Sequence, residues 1–69
     1  MGISYNKLFK LLIDKSMKKK DLQEQAGLSP ASVTKLAKNE YVRLEVLVKV
    51  CAALNVDFGD IMEFVPDKE

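Results

Sequence analysis

"KKDLQEQAGLSPASVTKLAKNE", residues 19–40, decides how the rest of this chain is read. A short apolar pattern ends at Ala26 and Gly27. Leu28 then precedes a Ser-Pro pair, and a second pattern follows whose outward side chains are mostly small. Ser29 is a good N-cap, and Pro30 suits the first helical position, where a missing N–H costs nothing. Leu28 and Val33 have the spacing of a hydrophobic staple, and Gly27 closes the helix before them. Two short helices joined by the turn "AGLS" make a helix-turn-helix pattern over about residues 19–38.

Working outward, helical spacing predicts three further helices. One runs from about Tyr5 to Lys15, with Ser4 as N-cap and Tyr5, Leu8, Phe9 and Leu12 on one face. Another, from about Leu44 to Leu54, is the most apolar. Asp57 caps a fifth that extends to Met62 or Glu63. Asn39 closes the third helix in the left-handed conformation. The tail from Phe64 reads either as an extended strand or as a frayed end. No run shows the alternation of a strand, so the expected fold is all-α. It is a compact five-helix domain spanning residues 1–69, with no repeat or linker. The first, third and fourth helices share one core with Leu22 and Ile61.

A chain of 69 residues buries only about 60% of its unfolded surface, so tight packing, a partner or a staple is needed. The single cysteine, Cys51, allows no intrachain disulfide and reads as a small buried hydrophobe. Without histidine the His/Cys zinc constellations cannot form, and neither a metal nor a cofactor is expected. Apolar runs fall far short of the ~20 residues a bilayer requires. The expectation is a soluble cytoplasmic protein with no membrane partner and no evident small-molecule ligand. An enzyme is disfavoured by the missing histidine, the lack of a phosphate-cradling glycine loop and the small size.

Charge is divided unevenly. Residues 7–38 carry eight lysines against Asp14, Asp21 and Glu24, a net of +5. Residues 39–69 carry Arg43, Lys49 and Lys68 against seven acids, a net of −4. A basic front half points to a polyanion.

On a helical wheel Val33, Leu36 and Ala37 face the core. Ala31, Thr34, Lys35 and Lys38 lie opposite, with Ser32 at the edge. Small outer side chains let a helix backbone approach closely, and the major groove of B-DNA admits a helix. Lysine can reach guanine O6 and N7, while threonine and alanine can meet a thymine methyl. The same face also suits an ordinary solvated helix.

With its flanks, the stretch resembles the phage repressor/Cro-type (Xre-like) helix-turn-helix regulators, in particular the small stand-alone Cro-like subgroup. "LLIDKSMKKKDLQEQAGLSPASVTKLAKNE" carries the resemblance, and "LEVLVKVCAALNVDFGDI" extends it over nearly the whole chain. The resemblance implies a double-stranded DNA-binding transcriptional regulator, with repression by promoter occupancy the simplest mode. It puts the recognition helix at residues 30–38 and base-reading positions at Pro30, Ala31, Thr34 and Lys35. Phosphate contacts are implied at Lys18 and Lys19, at Ser29 and Ser32, and at Lys38, Asn39 and Arg43. It also implies a homodimer that forms weakly, or only on DNA.

Three departures stand out. Pro30 and Ala31 cannot donate side-chain hydrogen bonds where amide-bearing residues often read bases. Lys18 and Arg43 occupy the N-cap positions of the second and fourth helices. A poor N-cap costs about 1 kcal/mol, and a cation at a helix N-terminus a further ~0.3–1 kcal/mol. An anion docked at the start of the second helix would turn Lys18, Lys19 and Lys20 from a cost into a site.

The fourth helix carries two apolar stripes. Leu44, Leu47, Val48 and Cys51 are expected to face the core. Val46, Val50 and Ala53 then await either intrachain cover or a second copy. A competing reading makes the chain a protein-interaction module, an antitoxin or adaptor, using the acidic C-terminal half and this helix.

Overall fold

The computed structural model describes residues 2–66. Four helices carry the fold: α1 (Asn6–Asp14), α2 (Lys19–Ala26), α3 (Pro30–Ala37) and α4 (Leu44–Leu54). The expected fifth helix is a single 3-10 turn, Phe58–Asp60. Asp57 does cap it, accepting from the Phe58 N–H at 2.7 Å. The turn cannot lengthen because the chain leaves it for a strand at Glu63.

The helical fold expected from the sequence holds with four helices, and a short strand pair is added to it, the tail taking the extended alternative. Gly2–Ser4 (β1) and Glu63–Val65 (β2) pair antiparallel, with Ile3 opposite Phe64. Three residues are too few for alternation to show in a sequence. Of the expected tail, residues 64–65 are therefore extended, and residues 67–69 lie outside the described part. Strand β1 also moves the start of α1: Tyr5 is the N-cap residue, while the Ser4 hydroxyl accepts from the Asn6 N–H at 3.2 Å.

All four helices stop in the same way. Ser16, Gly27, Asn39 and Asn55 each take the left-handed conformation within two residues of a helix end. The next N–H then reaches back five residues: Met17 to the Leu12 carbonyl, Leu28 to Gln23, Glu40 to Lys35 and Val56 to Cys51, at 2.8–3.1 Å. This is the Schellman arrangement, which satisfies carbonyls that a helix end leaves open.

The core is continuous. Tyr5, Leu8, Leu22, Leu36, Val50 and Ile61 are fully enclosed, and Leu12, Leu28, Val33, Leu47 and Leu54 complete it. The staple pair Leu28 and Val33 is thus inside. Two wheel assignments are corrected. Ala37 is exposed. In α4 the buried side is Leu47, Val50 and Leu54, whereas Leu44 and Val48 are 65% and 50% exposed. Helix α4 packs chiefly on α2 and the 3-10 turn, and it buries Leu47 from one expected stripe and Val50 from the other, with Leu54 between them.

Candidate nucleic-acid interface

Helix α3 buries only Val33 and Leu36 and is secured at its ends. At the start, the Ser29 hydroxyl accepts from the Ser32 N–H at 3.2 Å and lies 3.1 Å from the Ser32 hydroxyl. Beyond the end, the Asn39 side-chain oxygen accepts from the Tyr5 N–H at 2.8 Å. The Tyr5 hydroxyl in turn donates to the Glu40 carbonyl at 3.0 Å. Burial raises the Tyr5 pKa, so its phenol keeps the proton it donates.

Between those ends Pro30, Ala31, Thr34, Lys35 and Lys38 are all exposed. The Thr34 hydroxyl donates to the Pro30 carbonyl at 3.0 Å, leaving its methyl and an acceptor lone pair to face outward. Lysine 35 is the one base-reading candidate with a donor to extend.

Ser29, Ser32, Lys35 and Arg43 line one shallow cleft of about 300 Å³ with Val42, Glu45, Val46 and Lys49. Lysine 49 was not among the expected contacts. Its signal was its place on α4, where only Glu45 and Lys49 separate the two apolar stripes. Asn39 and Lys35 meet at a second depression, beside Gly2, Ile3, Glu40 and Tyr41. Tyr41, 70% exposed, is a second residue the sequence reading passed over.

Lys18 and Lys19 stand apart from that cleft. With Phe9, Leu12, Ile13, Met17 and Ala37 they line a separate depression of about 400 Å³. The Lys19 ammonium sits 5.5 Å from the centroid of the Phe9 ring, a cation–π arrangement. The Asp21 carboxylate accepts from the Lys18 N–H at 3.0 Å, which is half of a capping box. The other half is missing, because an ammonium cannot accept.

A phenol-anchored helix with a small-residue outer face, following a helix with Lys18 as its N-cap residue and Lys19 and Lys20 in its first turn, is the arrangement of a helix-turn-helix reader. The Cro/C1-type helix-turn-helix DNA-binding domain family matches residues 7–67. The chain belongs to that family. A crystal structure of the transcriptional regulator VanUg is similar to it, with a TM-score of 0.91 and 55% sequence identity. The match covers 96% of this chain and 88% of that one. No curated protein matches the chain. As a member of the Cro/C1-type family it carries a DNA-binding fold. None of its described helices is long and apolar enough to cross a membrane.

Proposed function

We propose that this protein is a sequence-preferring binder of double-stranded DNA that regulates transcription, acting as a repressor by occupying promoter DNA. The observation that carries the reading is α3 itself: a helix fixed at both ends that leaves Pro30, Ala31, Thr34 and Lys35 outward. Its likeness to a crystallised transcriptional regulator supports the same reading.

In this reading α3 enters the major groove. Lys35 donates to a base edge, Thr34 meets an edge or a thymine methyl, and Pro30 and Ala31 offer close apolar contact. Ser29, Ser32, Lys38, Asn39 and Arg43 line the flanking phosphates, and Lys18 and Lys19 hold another backbone segment at the start of α2. Asn39 has only its amide N–H₂ for this, since its oxygen serves Tyr5.

Two copies are proposed to bind as a symmetric pair. The exposed Leu44 and Val48, one turn apart on α4, replace the Val50 stripe as the surface for the second copy. One copy offers few base-reading groups, whereas two recognition helices about 34–36 Å apart can read a palindrome. The reading treats residues 1–69 as one domain acting in the cytoplasm.

Selection of bound sequences from a random duplex pool tests this directly. Inverted half-sites one helical turn apart are expected. A lone half-site would refute the pairing, and a pool without enrichment would refute sequence-preferring binding.

A further inference from the structure

We propose that Tyr5 is a positioning residue for DNA recognition: without touching DNA, it sets where the C-terminal end of α3 and the following loop stand. The proposal rests on the DNA-binding reading above.

Tyr5 makes a two-way clamp with residues 34 and 35 positions later in the chain. Its backbone N–H is held by the Asn39 side chain, and its hydroxyl holds the Glu40 carbonyl. The ring between these bonds is fully enclosed. Tyr5 is therefore rigid, and it fastens the β1–α1 junction to the end of the recognition helix.

What it fastens is the least secured part of α3. Asn39 sits in the left-handed conformation, at φ 58°, and Glu40 closes α3 by donating its N–H to the Lys35 carbonyl at 2.9 Å. From Glu40 the chain crosses residues 41–43 to α4 without helix or strand. The last buried side chain of α3 is Leu36, so Lys38 has no burial of its own. The clamp supplies the tertiary restraint that burial does not. A freed loop would let the Lys35 backbone carbonyl, and with it the side chain proposed to read a base, sample several positions. A base contact requires one geometry, whereas phosphate contacts tolerate small shifts. Tyr5 thus acts on selectivity more than on general affinity.

The test uses Tyr5→Phe, which keeps the enclosed ring and removes only the hydroxyl. A second variant, Asn39→Gly, keeps the left-handed turn and removes the other bond. Binding of the full chain is measured by fluorescence anisotropy to a duplex selected by the wild type from a random pool, and to a scrambled duplex of equal length. Measurements are made well below the thermal midpoint of each variant. Both variants are expected to lose about fivefold to tenfold in the ratio of selected to scrambled affinity. Scrambled-duplex affinity for Tyr5→Phe should stay within about twofold. As a control, Leu54→Val, in the buried last residue of α4, lowers stability and leaves the ratio unchanged.

Backbone amide exchange, which needs no DNA, should show faster exchange at Asn39 and Glu40 in Tyr5→Phe. A wild-type ratio in both variants overturns the proposal, as does a ratio that falls equally in Leu54→Val. A wild type that selects no sequence defeats the DNA-reading function and the positioning role with it; faster loop exchange in that case would leave the clamp as a stability device only.

Discussion

Removing one lysine from the start of α2 separates electrostatic anchoring from base reading. Lys19→Ala is the variant of choice because its effects on the fold nearly cancel. The Lys19 ammonium lies over the Phe9 ring, an exposed cation–π contact worth about 0.5–1 kcal/mol. The same ammonium stands on the first residue of α2, where a cation opposes the helix dipole by about 0.3–1 kcal/mol. Alanine is also the better helix former. Stability should therefore change little, and any change in DNA affinity belongs to the interface.

If Lys18, Lys19, Lys38 and Arg43 each neutralise one phosphate, the slope of log K against log salt per bound copy is about −3.6, and about −2.7 without Lys19. Between 50 and 200 mM salt the wild type should then lose about 150-fold in affinity and the variant about 40-fold. At 0.1 M salt, taking the two as equal at 1 M, the variant binds about eightfold more weakly to any duplex. Anisotropy titrations on a random-sequence duplex at four salt concentrations give the slope. An unchanged slope would show that the start of α2 does not meet phosphate. A loss confined to the selected sequence would make Lys19 a base contact instead.

Other substitutions test the remaining assignments. Lys35→Ala should cost on the order of 1–3 kcal/mol on the selected duplex and relax preference at one or two base pairs, with random-duplex affinity nearly kept; an equal loss on both would make Lys35 a phosphate contact. Val50 is fully enclosed, so Val50→Glu should unfold the protein by circular dichroism. Val48→Glu should stay folded but lose cooperative binding to a two-half-site duplex; normal cooperativity would remove α4 from the interface. Ser16→Gly should raise stability by about 0.5–1 kcal/mol in urea melts, because Ser16 holds φ at 56° and glycine does so without a Cβ penalty. The Cys51 thiol is pushed up from 9.0, first by burial and then by Asp57 and Asp60, so the protonated form is favoured in the fold. Its alkylation by iodoacetamide at pH 8 should be slower than that of a free thiol, and its rate should still be rising with pH where that of a free thiol has levelled off.

The sequence carried the helix-turn-helix because its signals are local. Ser29, Pro30, Leu28 and Gly27 act on their immediate neighbours, so their chemistry is legible without knowing the rest of the fold. The features it hid depend on distant pairing. Strands β1 and β2 are more than 50 residues apart and three residues long, so neither alternation nor a hairpin turn announces them. The side of α4 that faces inward was ambiguous for a related reason. Two apolar stripes satisfy the helical period equally, and packing on α2 buries the arc between them, Leu47, Val50 and Leu54, rather than either one. Tyr5 looked like an ordinary apolar position on α1. Its hydroxyl finds its acceptor in a loop that sequence spacing cannot bring near. Lys49 and Tyr41 were overlooked because α4 was read for its apolar stripes and its leading loop for Asn39 and Arg43.

Helix α3 is short and buries two side chains, which by area alone is a weak hold. A helix that turns one face to a groove has only its other face to bury. Restraint must then come from the ends. At the N-terminus it comes from the Ser29 cap and from Leu28 and Val33, which are packed in the core. At the C-terminus it comes from the left-handed Asn39, the Glu40 to Lys35 bond and the two bonds of Tyr5. Helix α2 is treated in the opposite way. Its basic first turn has one carboxylate bond and no side-chain cap from Lys18. An anion placed there would satisfy amides that α3 already satisfies internally. On the proposed reading the unequal capping divides the labour: α3 is fixed before DNA arrives, and the start of α2 is left for a phosphate to complete.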